Sequence, residues 1–421
     1  MALEQDNEVT KVVDHLFRHE SGKMVAVLTR VFGFANIEQA EDIVQDTLIR
    51  ALETWKFGKV PDNPQAWLYR TAKNKAIDLI RREKVKHKIE SEIAPLLKSE
   101  YTLVPSMNDM FRENEIKDSQ LRMMFACCHP SIVLESQLTL MLKTLCGLST
   151  KEIGKAFLSS EDAIQKRLYR TKEKIREEHI SLDYPGADSM PVRLDTVLKA
   201  LYLLFNEGYN SSHPEKLIRD DLCEEAMRLT LLLTENPKTN QPSTNALLAL
   251  MCYQASRFGA RLDDKGFMVL LKDQDRTYWS KFLIERGNEY LIRAAEGYMI
   301  HEYHFEAAIA SVHANAKSYE DTDWKLILQL YNNLADQTQS PMVAINRCIV
   351  LGEVEGYNKA ISELEKIKGF ANNCYYNTSL GEMYLKSGNE TEAIKYFQNA
   401  LVLTSSNAEI ELIRRKINLC K

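Results

Sequence analysis

A single stretch of the chain, 66–82, combines aromatic side chains at its start with cationic side chains at its end. Aromatic rings can stack on unstacked bases, and Lys and Arg can hold the phosphates of the same strand. The spacing predicts one amphipathic helix that binds single-stranded nucleic acid. A buried helix with a solvated basic tail remains the alternative for either ring alone. The candidate residues are Trp67, Tyr69, Arg70, Lys73, Asn74, Asp78, Arg81 and Arg82.

A second candidate element for nucleic-acid binding lies downstream, between about Leu138 and Arg176. Ser149 and Glu152 have the spacing of a capping box, which opens a predicted short helix at 150–157. Ser159 and Asp162 repeat that spacing before a predicted helix at 161–176. A short helix, a turn and a second helix with a basic face is the helix–turn–helix arrangement. The residues expected on the exposed face, where they could contact phosphates or base edges, are Gln165, Lys166, Arg167, Arg170 and Lys172.

A third predicted helix, at 37–52, has an outer face that is not basic like the faces of the first two elements. Its predicted apolar stripe consists of Ile43, Val44, Thr47, Leu48, Ala51 and Leu52. The opposite face is mixed acidic and apolar, which suits the binding of a protein. Its candidate residues are Asp42, Gln45, Asp46 and Ile49.

The composition restricts where nucleic acid could bind. The 421 residues include 45% hydrophobic and 27% charged residues, as in ordinary globular proteins, and carry a net charge of −5. A protein that coats DNA would be basic overall, so contact must be local. The strongest basic run, 70–88, has eight Lys or Arg against two acids.

The acidic N-terminus, the lack of a long apolar run and the eight cysteines predict a cytoplasmic protein with no membrane contact.

The remaining pattern predicts an all-α chain, because Gly and Pro are scarce and no long alternating strand pattern occurs. The charged segment 83–117 is expected to be a linker with one short helix at 89–97. Tyr184-Pro185-Gly186 is interpreted as a hinge before a long helical region. Near the end, Leu380, Gly381, Tyr384, Gly388, Ala393, Phe397 and Ala400 match the tetratricopeptide (TPR) template. A weaker copy around Gly352, Ala360 and Leu364 precedes it.

Two clusters could indicate other chemistry. Cys127-Cys128-His129 invites a metal interpretation, but adjacent cysteines chelate zinc poorly and no second ligand pair is present, so buried thiols are preferred. Asp273-Gln274-Asp275-Arg276 with Trp279, like Asp220-Asp221 and Glu224-Glu225, could form an active site. Helix caps and inter-helix bonds explain these acids better. We therefore expect no enzyme, no metal and no cofactor.

The order of these elements resembles bacterial sigma-70 factors of the extracytoplasmic-function (ECF) type. The motifs that carry the resemblance are Ala40-Glu41-Asp42-Ile43-Val44-Gln45-Asp46-Thr47, the 66–82 stretch, Leu148-Ser149-x-x-Glu152-Ile153, and the basic helix ending Arg170-x-Lys172-x-Lys174-Ile175-Arg176. They cover about the first 180 residues. The segments 121–130, 204–209 and 271–276 resemble the subgroup with a long helical, TPR-bearing extension.

The resemblance implies an all-α fold with two small helical sigma domains and a C-terminal TPR-like domain. The implied division is region 2 at 1–88, a linker at 89–118, region 4 with its helix–turn–helix at 119–180, a helical extension at 181–340 and TPR-like repeats at 341–421. The 37–52 helix would bind the β′ clamp helices of core RNA polymerase. The 66–82 helix would bind and melt the promoter −10 element, and the 161–176 helix would bind the −35 element. The linker would thread toward the RNA exit region.

The implied function is that of a sigma factor, with core RNA polymerase (β′ clamp helices and β flap) and promoter DNA as partners. The C-terminal domain would regulate it or bind a protein ligand. Two alternatives stay open at this point. One is a one-component transcriptional regulator that uses only its helix–turn–helix, and the other is a scaffold whose TPR-like repeats carry the main function.

Overall fold

The computed structural model describes residues 2–57, 60–84, 100–157, 159–210, 218–264, 266–297, 299–404 and 406–420. Within these ranges the chain forms 19 α-helices and no β-strand. The only extended pairing described is an isolated bridge between Leu262 and Met268. The predicted all-α class is therefore confirmed. The chain divides into two compact units, Met1–Leu201 and Tyr202–Lys421.

The first unit contains eight complete helices and the start of a ninth. In chain order they are α1 Ala2–Phe32, α2 Ile37–Phe57, α3 Pro64–Lys84, α4 Glu100–Met110, α5 Glu113–Cys127, α6 Leu134–Thr144, α7 Thr150–Ala156, α8 Glu161–Glu177 and α9 Met190–Tyr209. The division between the units falls inside α9. The predicted domain boundary at 180/181 precedes this division.

Helix α1 is the organising element of the first unit. Its buried face carries Met24, Val25, Leu28 and Val31, the apolar residues at helical spacing in the sequence. This helix contacts α2, α3, α5 and α6. At Gly22 the approach to the end of α6 is so close that a Cβ would lie 1.9 Å from the carbonyl oxygen of Leu145. Glycine at this position lets two backbones touch.

Helix α4 lies within the segment predicted as a linker. Leu103, Met107 and Met110 recur at helical spacing and are buried, and the helix contacts α3 and α5. Pro105 lies inside the helix and removes one backbone donor, which is why the sequence suggested a break there. The described part of the predicted linker is therefore mainly helical. The predicted short helix at 89–97 lies outside the described residues.

The predicted hinge at 184–186 is fastened to α5. The Tyr184 hydroxyl donates to Asp118 Oδ1 at 2.9 Å, and its ring packs against Phe125 with centroids 6.0 Å apart. Arg193 of α9 donates to the carbonyl oxygen of Phe125. The segment packs as part of the first unit, because the Tyr184 ring at its start and the Arg193 guanidinium after it both contact α5.

The second unit consists of consecutive helices, of which α11 and α12 are separated by a longer connection with three short 3-10 turns. They are α10 Asp220–Glu235, α11 Pro242–Ala255, α12 Lys281–Ala294, α13 Glu302–Asn315, α14 Trp324–Thr338, α15 Pro341–Glu355, α16 Tyr357–Leu364, α17 Cys374–Lys386, α18 Glu390–Leu403 and α19 Asn407–Leu419. None of the described helices of the chain is long and apolar enough to span a bilayer.

The glycines of the predicted repeat have clear structural roles. Gly388 forms the turn between α17 and α18 with φ of 84°, a region that disfavours residues with a Cβ. A Cβ on Gly381 would lie 2.6 Å from the Phe397 ring, and one on Gly352 would lie 2.7 Å from the Tyr357 ring. Both helix pairs thus pack an aromatic ring against a glycine. The assignment of these pairs to the TPR family stays a prediction.

Candidate nucleic-acid interface

An open groove lies between α3 and α4 in the first unit. It encloses about 390 Å³ and is lined by Arg70, Lys73, Asn74, Ile77, Asp78, Arg81, Val104 and Asn108. Five of the predicted residues of the 66–82 stretch are therefore brought together on its wall. Ile77 and Val104 supply apolar surface, and three cations face one carboxylate. This combination suits a strand whose phosphates and bases are both in contact with protein.

The polar residues of the groove are partly fixed. Lys73 Nζ donates to Asn108 Oδ1, which connects α3 to α4. Arg81 Nη1 lies 3.9 Å from Asp78 Oδ1, a weak exposed pair one helical turn apart. Arg70, Asn74 and Arg82 are exposed. The sequence did not predict the contribution of α4, because that helix was taken as a linker.

Trp67 and Tyr69 do not line the groove, and both pack against protein. The Trp67 ring lies edge-on to Trp55 with centroids 5.5 Å apart. The Tyr69 hydroxyl donates to the buried Glu20 carboxylate at 2.5 Å, and its ring packs on Phe111 at 5.5 Å. Both side chains are half-buried. In this conformation each ring has the core contacts of the alternative interpretation, and its role in base stacking stays a prediction.

The outer face of α2 is exposed, as its pattern predicts. Asp42, Gln45 and Asp46 are exposed, and the Ile49 side chain is 46% exposed. Asp46 Oδ2 also accepts from Lys75 Nζ of α3 at 3.0 Å. Leu52 was placed in the buried stripe, and this was wrong, because its side chain is 51% exposed. An isoleucine and a leucine therefore lie beside the acids and make this face a candidate protein-binding surface.

Helices α7 and α8 are joined by a tight turn whose caps the sequence largely predicts. The Ser149–Glu152 capping box is formed at the start of α7. The cap of α8 is Ser160, whose hydroxyl accepts from the Ala163 N–H, one residue later than predicted. A Cβ on Gly154 would lie 2.8 Å from the carbonyl oxygen of Ser159, so this glycine permits the close return of the chain.

The predicted basic face of α8 is exposed in its first half only. Gln165, Lys166 and Arg170 are exposed. Arg167 is half-buried and donates to Thr139 Oγ1 of α6 at 3.3 Å. The prediction that Lys172 is exposed was wrong, because its side chain is 12% exposed. Ile164, Leu168 and Ile175 are buried as predicted.

Lys172 is turned inward by carboxylates from α2. Its Nζ lies 2.6 Å from Glu41 Oε2 and 3.8 Å from Glu38 Oε1. Arg176 also pairs with Glu38 and donates from Nε to the carbonyl oxygen of Ala35 at 3.3 Å. The second half of α8 therefore packs on the start of α2. Sequence analysis missed this contact, since nothing local identifies partners more than 130 residues apart.

The thiols of one cluster considered for other chemistry, and Asp275 of the other, have structural contacts. Cys127 Sγ lies 3.7 Å from Thr144 Oγ1, and burial raises the pKa of this thiol to about 12. Cys128 is also buried. Among the described residues no group of three or more His, Cys, Asp or Glu side chains is arranged to hold a metal ion. Asp275 caps the turn that follows it by accepting from the Thr277 N–H at 2.8 Å.

Comparisons with known proteins match two parts of the chain to described families. A family described as Sigma-70 region 2 matches residues 16–85, which span most of α1 through α3. A family described as Family of unknown function (DUF6596) matches residues 193–295. The chain is similar to an uncharacterised protein of Rhizobium meliloti, at 33% identity over 91% of this chain and 90% of that protein. It is also similar to the ECF RNA polymerase sigma factor SigW of Bacillus subtilis, at 24% identity over 37% of this chain and 82% of that protein.

Proposed function

We propose that the chain is a sigma factor of the sigma-70 family that directs core RNA polymerase to a restricted set of promoters and initiates transcription there. The match of residues 16–85 to Sigma-70 region 2 and the similarity to an ECF sigma factor support this proposal. The observation that carries this proposal is the cationic groove between α3 and α4. A protein that only locates duplex DNA needs a surface that enters a groove of the double helix. A groove with its own cations and apolar wall instead suits one strand of opened DNA.

The groove residues are assigned to the −10 element. Arg70, Lys73 and Arg81 would hold phosphates, while Asn74 and Asp78 present hydrogen-bonding groups to base edges. Trp67 lies about one helical turn before Arg70 and would stack on a base only after leaving its contact with Trp55. Unstacking costs a few kcal/mol per step, and stacking on protein returns about 1–3 kcal/mol per base. The chain therefore opens DNA by binding the opened form more tightly than the duplex.

The exposed face of α2 is assigned to the β′ clamp helices of core polymerase. Asp42, Gln45 and Asp46 supply polar contacts, and Ile49 and Leu52 supply the apolar area that a specific protein interface needs at its centre. The groove lies on the neighbouring helix α3, which Lys75 joins to Asp46. Docking through α2 would place the groove at a fixed position relative to the polymerase.

Helix α8 is assigned to the −35 element. Gln165, Lys166 and Arg170 point away from the core of the unit and are available for the major groove. Arg167 would act with them after a small rotation from Thr139. Lys172, although predicted at this site, would reach DNA only if its contacts with Glu38 and Glu41 broke. The second unit would regulate this activity, with an unidentified protein ligand as the proposed partner of its helical repeats.

A reconstituted transcription reaction tests the proposal. We expect the chain to co-purify with core polymerase and to start transcripts at defined sites, with permanganate-reactive thymines around each start. Absence of stable association with core polymerase would contradict the proposal. Binding of duplex DNA without polymerase, with no melted bases, would instead identify a one-component regulator.

The −35 assignment makes a separate prediction about two arginines. Arg170→Ala is expected to weaken promoter binding by roughly tenfold, since a good contact to a base edge contributes about 1–3 kcal/mol, without lowering the thermal stability. Arg167→Ala should weaken promoter binding and also lower stability slightly, because it removes the bond to Thr139. Both should leave core binding intact. Electrophoretic mobility shifts and a core pull-down measure the two activities, and a loss of core binding by Arg170→Ala would show that the helix is wrongly assigned.

A further inference from the structure

The second unit contains a cluster of two arginines around a buried tryptophan, which we call the Arg–Trp cluster (Arg257, Arg276, Trp279 and His313). Arg257 follows α11, Arg276 and Trp279 lie in the turn before α12, and His313 belongs to the last turn of α13. Trp279 is 4% exposed. The guanidinium carbons of Arg276 and Arg257 lie 4.6 Å and 5.5 Å from the centre of its ring.

The two guanidinium groups are held in place by the protein. Arg276 Nη1 donates to the carbonyl oxygens of His313 and Ala316, each at 2.7 Å. Arg257 Nε donates to Gln274 Oε1 at 3.2 Å. Gln274 in turn donates to the carbonyl oxygen of Val269 at 3.1 Å. The cluster is therefore preorganised, so little side-chain entropy would be lost when a ligand binds.

Three buried polar atoms of the cluster have no hydrogen-bond partner. They are Arg276 Nη2, Trp279 Nε1 and His313 Nδ1. Arginine and tryptophan nitrogens can only donate, so two of the three require an acceptor. Folded proteins rarely leave such atoms unpaired, because each loses its bonds to water on burial. At least two donors of the cluster, Arg276 Nη2 and Trp279 Nε1, therefore lack an acceptor.

The two arginines of the cluster also lack a close ion pair among the described residues. Within the part of the chain that the structure describes, neither Arg257 nor Arg276 has a carboxylate oxygen within 4 Å. Glu320 and Asp321 act on Arg276 only from the exposed surface. Burial, Arg257 and Arg276 lower the pKa of His313 to about 4, so its imidazole is neutral at pH 7. Two partly buried cations side by side are unfavourable without an anion between them.

We propose that the Arg–Trp cluster binds a small oxyanion, the phosphate or carboxylate group of a low-molecular-weight ligand. Arg276 Nη2 and Trp279 Nε1 would donate to its oxygens, and Arg257 would supply the second positive charge. A water molecule could accept one or two of these bonds but would leave both charges uncompensated. Both arginines are partly exposed, so the anion can enter from solvent. The site uses none of the residues assigned to promoter binding.

Isothermal titration calorimetry on the full chain tests the site, with inorganic phosphate and acetate as separate probes at constant ionic strength. We expect saturable binding of at least one probe, and the probe that binds identifies the group. Trp279→Phe keeps an aromatic side chain but removes the N–H, and should weaken binding about tenfold, as expected for one lost hydrogen bond to a charged group. Arg276→Gln should abolish it.

The matched control is Arg293→Gln, which removes an exposed arginine that stacks on Tyr290 elsewhere in the same unit. This variant should bind like the unmodified chain. Circular dichroism identifies any variant that fails to fold, and the conservative Trp279→Phe then carries the test. Absence of saturable binding by both probes would overturn the proposal, as would equal affinity of the unmodified chain and Trp279→Phe.

Discussion

Replacement of Gly22 by Ala is expected to destabilise the first unit by about 3 kcal/mol or more. A Cβ at this position would lie 1.9 Å from the carbonyl oxygen of Leu145 and 2.6 Å from its carbonyl carbon. Both partners are backbone atoms in or next to helices, so no side chain can rotate to make room. Helices α1 and α6 would have to separate, and overpacking of that kind costs about 1–3 kcal/mol or occasionally more.

Hydrogen–deuterium exchange of peptides from α1 and α6 measures the effect within the first unit, which a single global melting curve would not isolate. The matched control is Gly186→Ala, because a Cβ on Gly186 would meet nothing closer than Ser189 Oγ at 4.0 Å. The control should exchange like the unmodified chain. Equal protection of the Gly22 and Gly186 variants would mean that α1 and α6 do not pack as described.

Removal of two groove cations is expected to weaken the binding of opened promoter DNA and to make that binding less dependent on salt. Arg70→Ala with Lys73→Ala would delete two proposed phosphate contacts on the wall of the groove. For single strands, each contact contributes about 0.7 to the slope of log affinity against log salt concentration. The double variant should therefore show a slope smaller by about 1.4.

The measurement is the binding of single-stranded −10 DNA by the chain in complex with core polymerase, over a series of KCl concentrations. Lys199→Ala is the control, because Lys199 is an exposed cation of the same unit outside the groove. Core binding should be unchanged in both variants, since the α2 face is untouched. An unaltered salt slope in the double variant would show that the strand does not run along this groove.

Much of the local structure follows directly from the sequence. The spacing of Ile164, Leu168 and Ile175 determined which side of α8 is buried, and Ser149 with Glu152 determined the start of α7. The exposure of Asp42, Gln45 and Asp46 followed from the apolar stripe on the other side of α2. These features depend on residues three or four positions apart, and such residues are neighbours on any helix. The roles assigned to them in binding stay predictions.

Only the tertiary structure decided which charged and aromatic side chains remain available to bind a partner. The sequence predicts both Lys172 and Arg170 on the exposed basic face of α8. Lys172 is nevertheless largely buried, because it forms ion pairs with Glu38 and Glu41 of α2. Tyr69 is held by Glu20 of α1, and the groove exists only because α4 packs beside α3. The sequence suggested Arg276 as part of a structural bond network. In the structure its positive charge also lies near that of Arg257, and its Nη2 donor is unpaired. The physical reason is that the free energy of a charge depends on its partners and its burial, and both are set by residues far away in the chain.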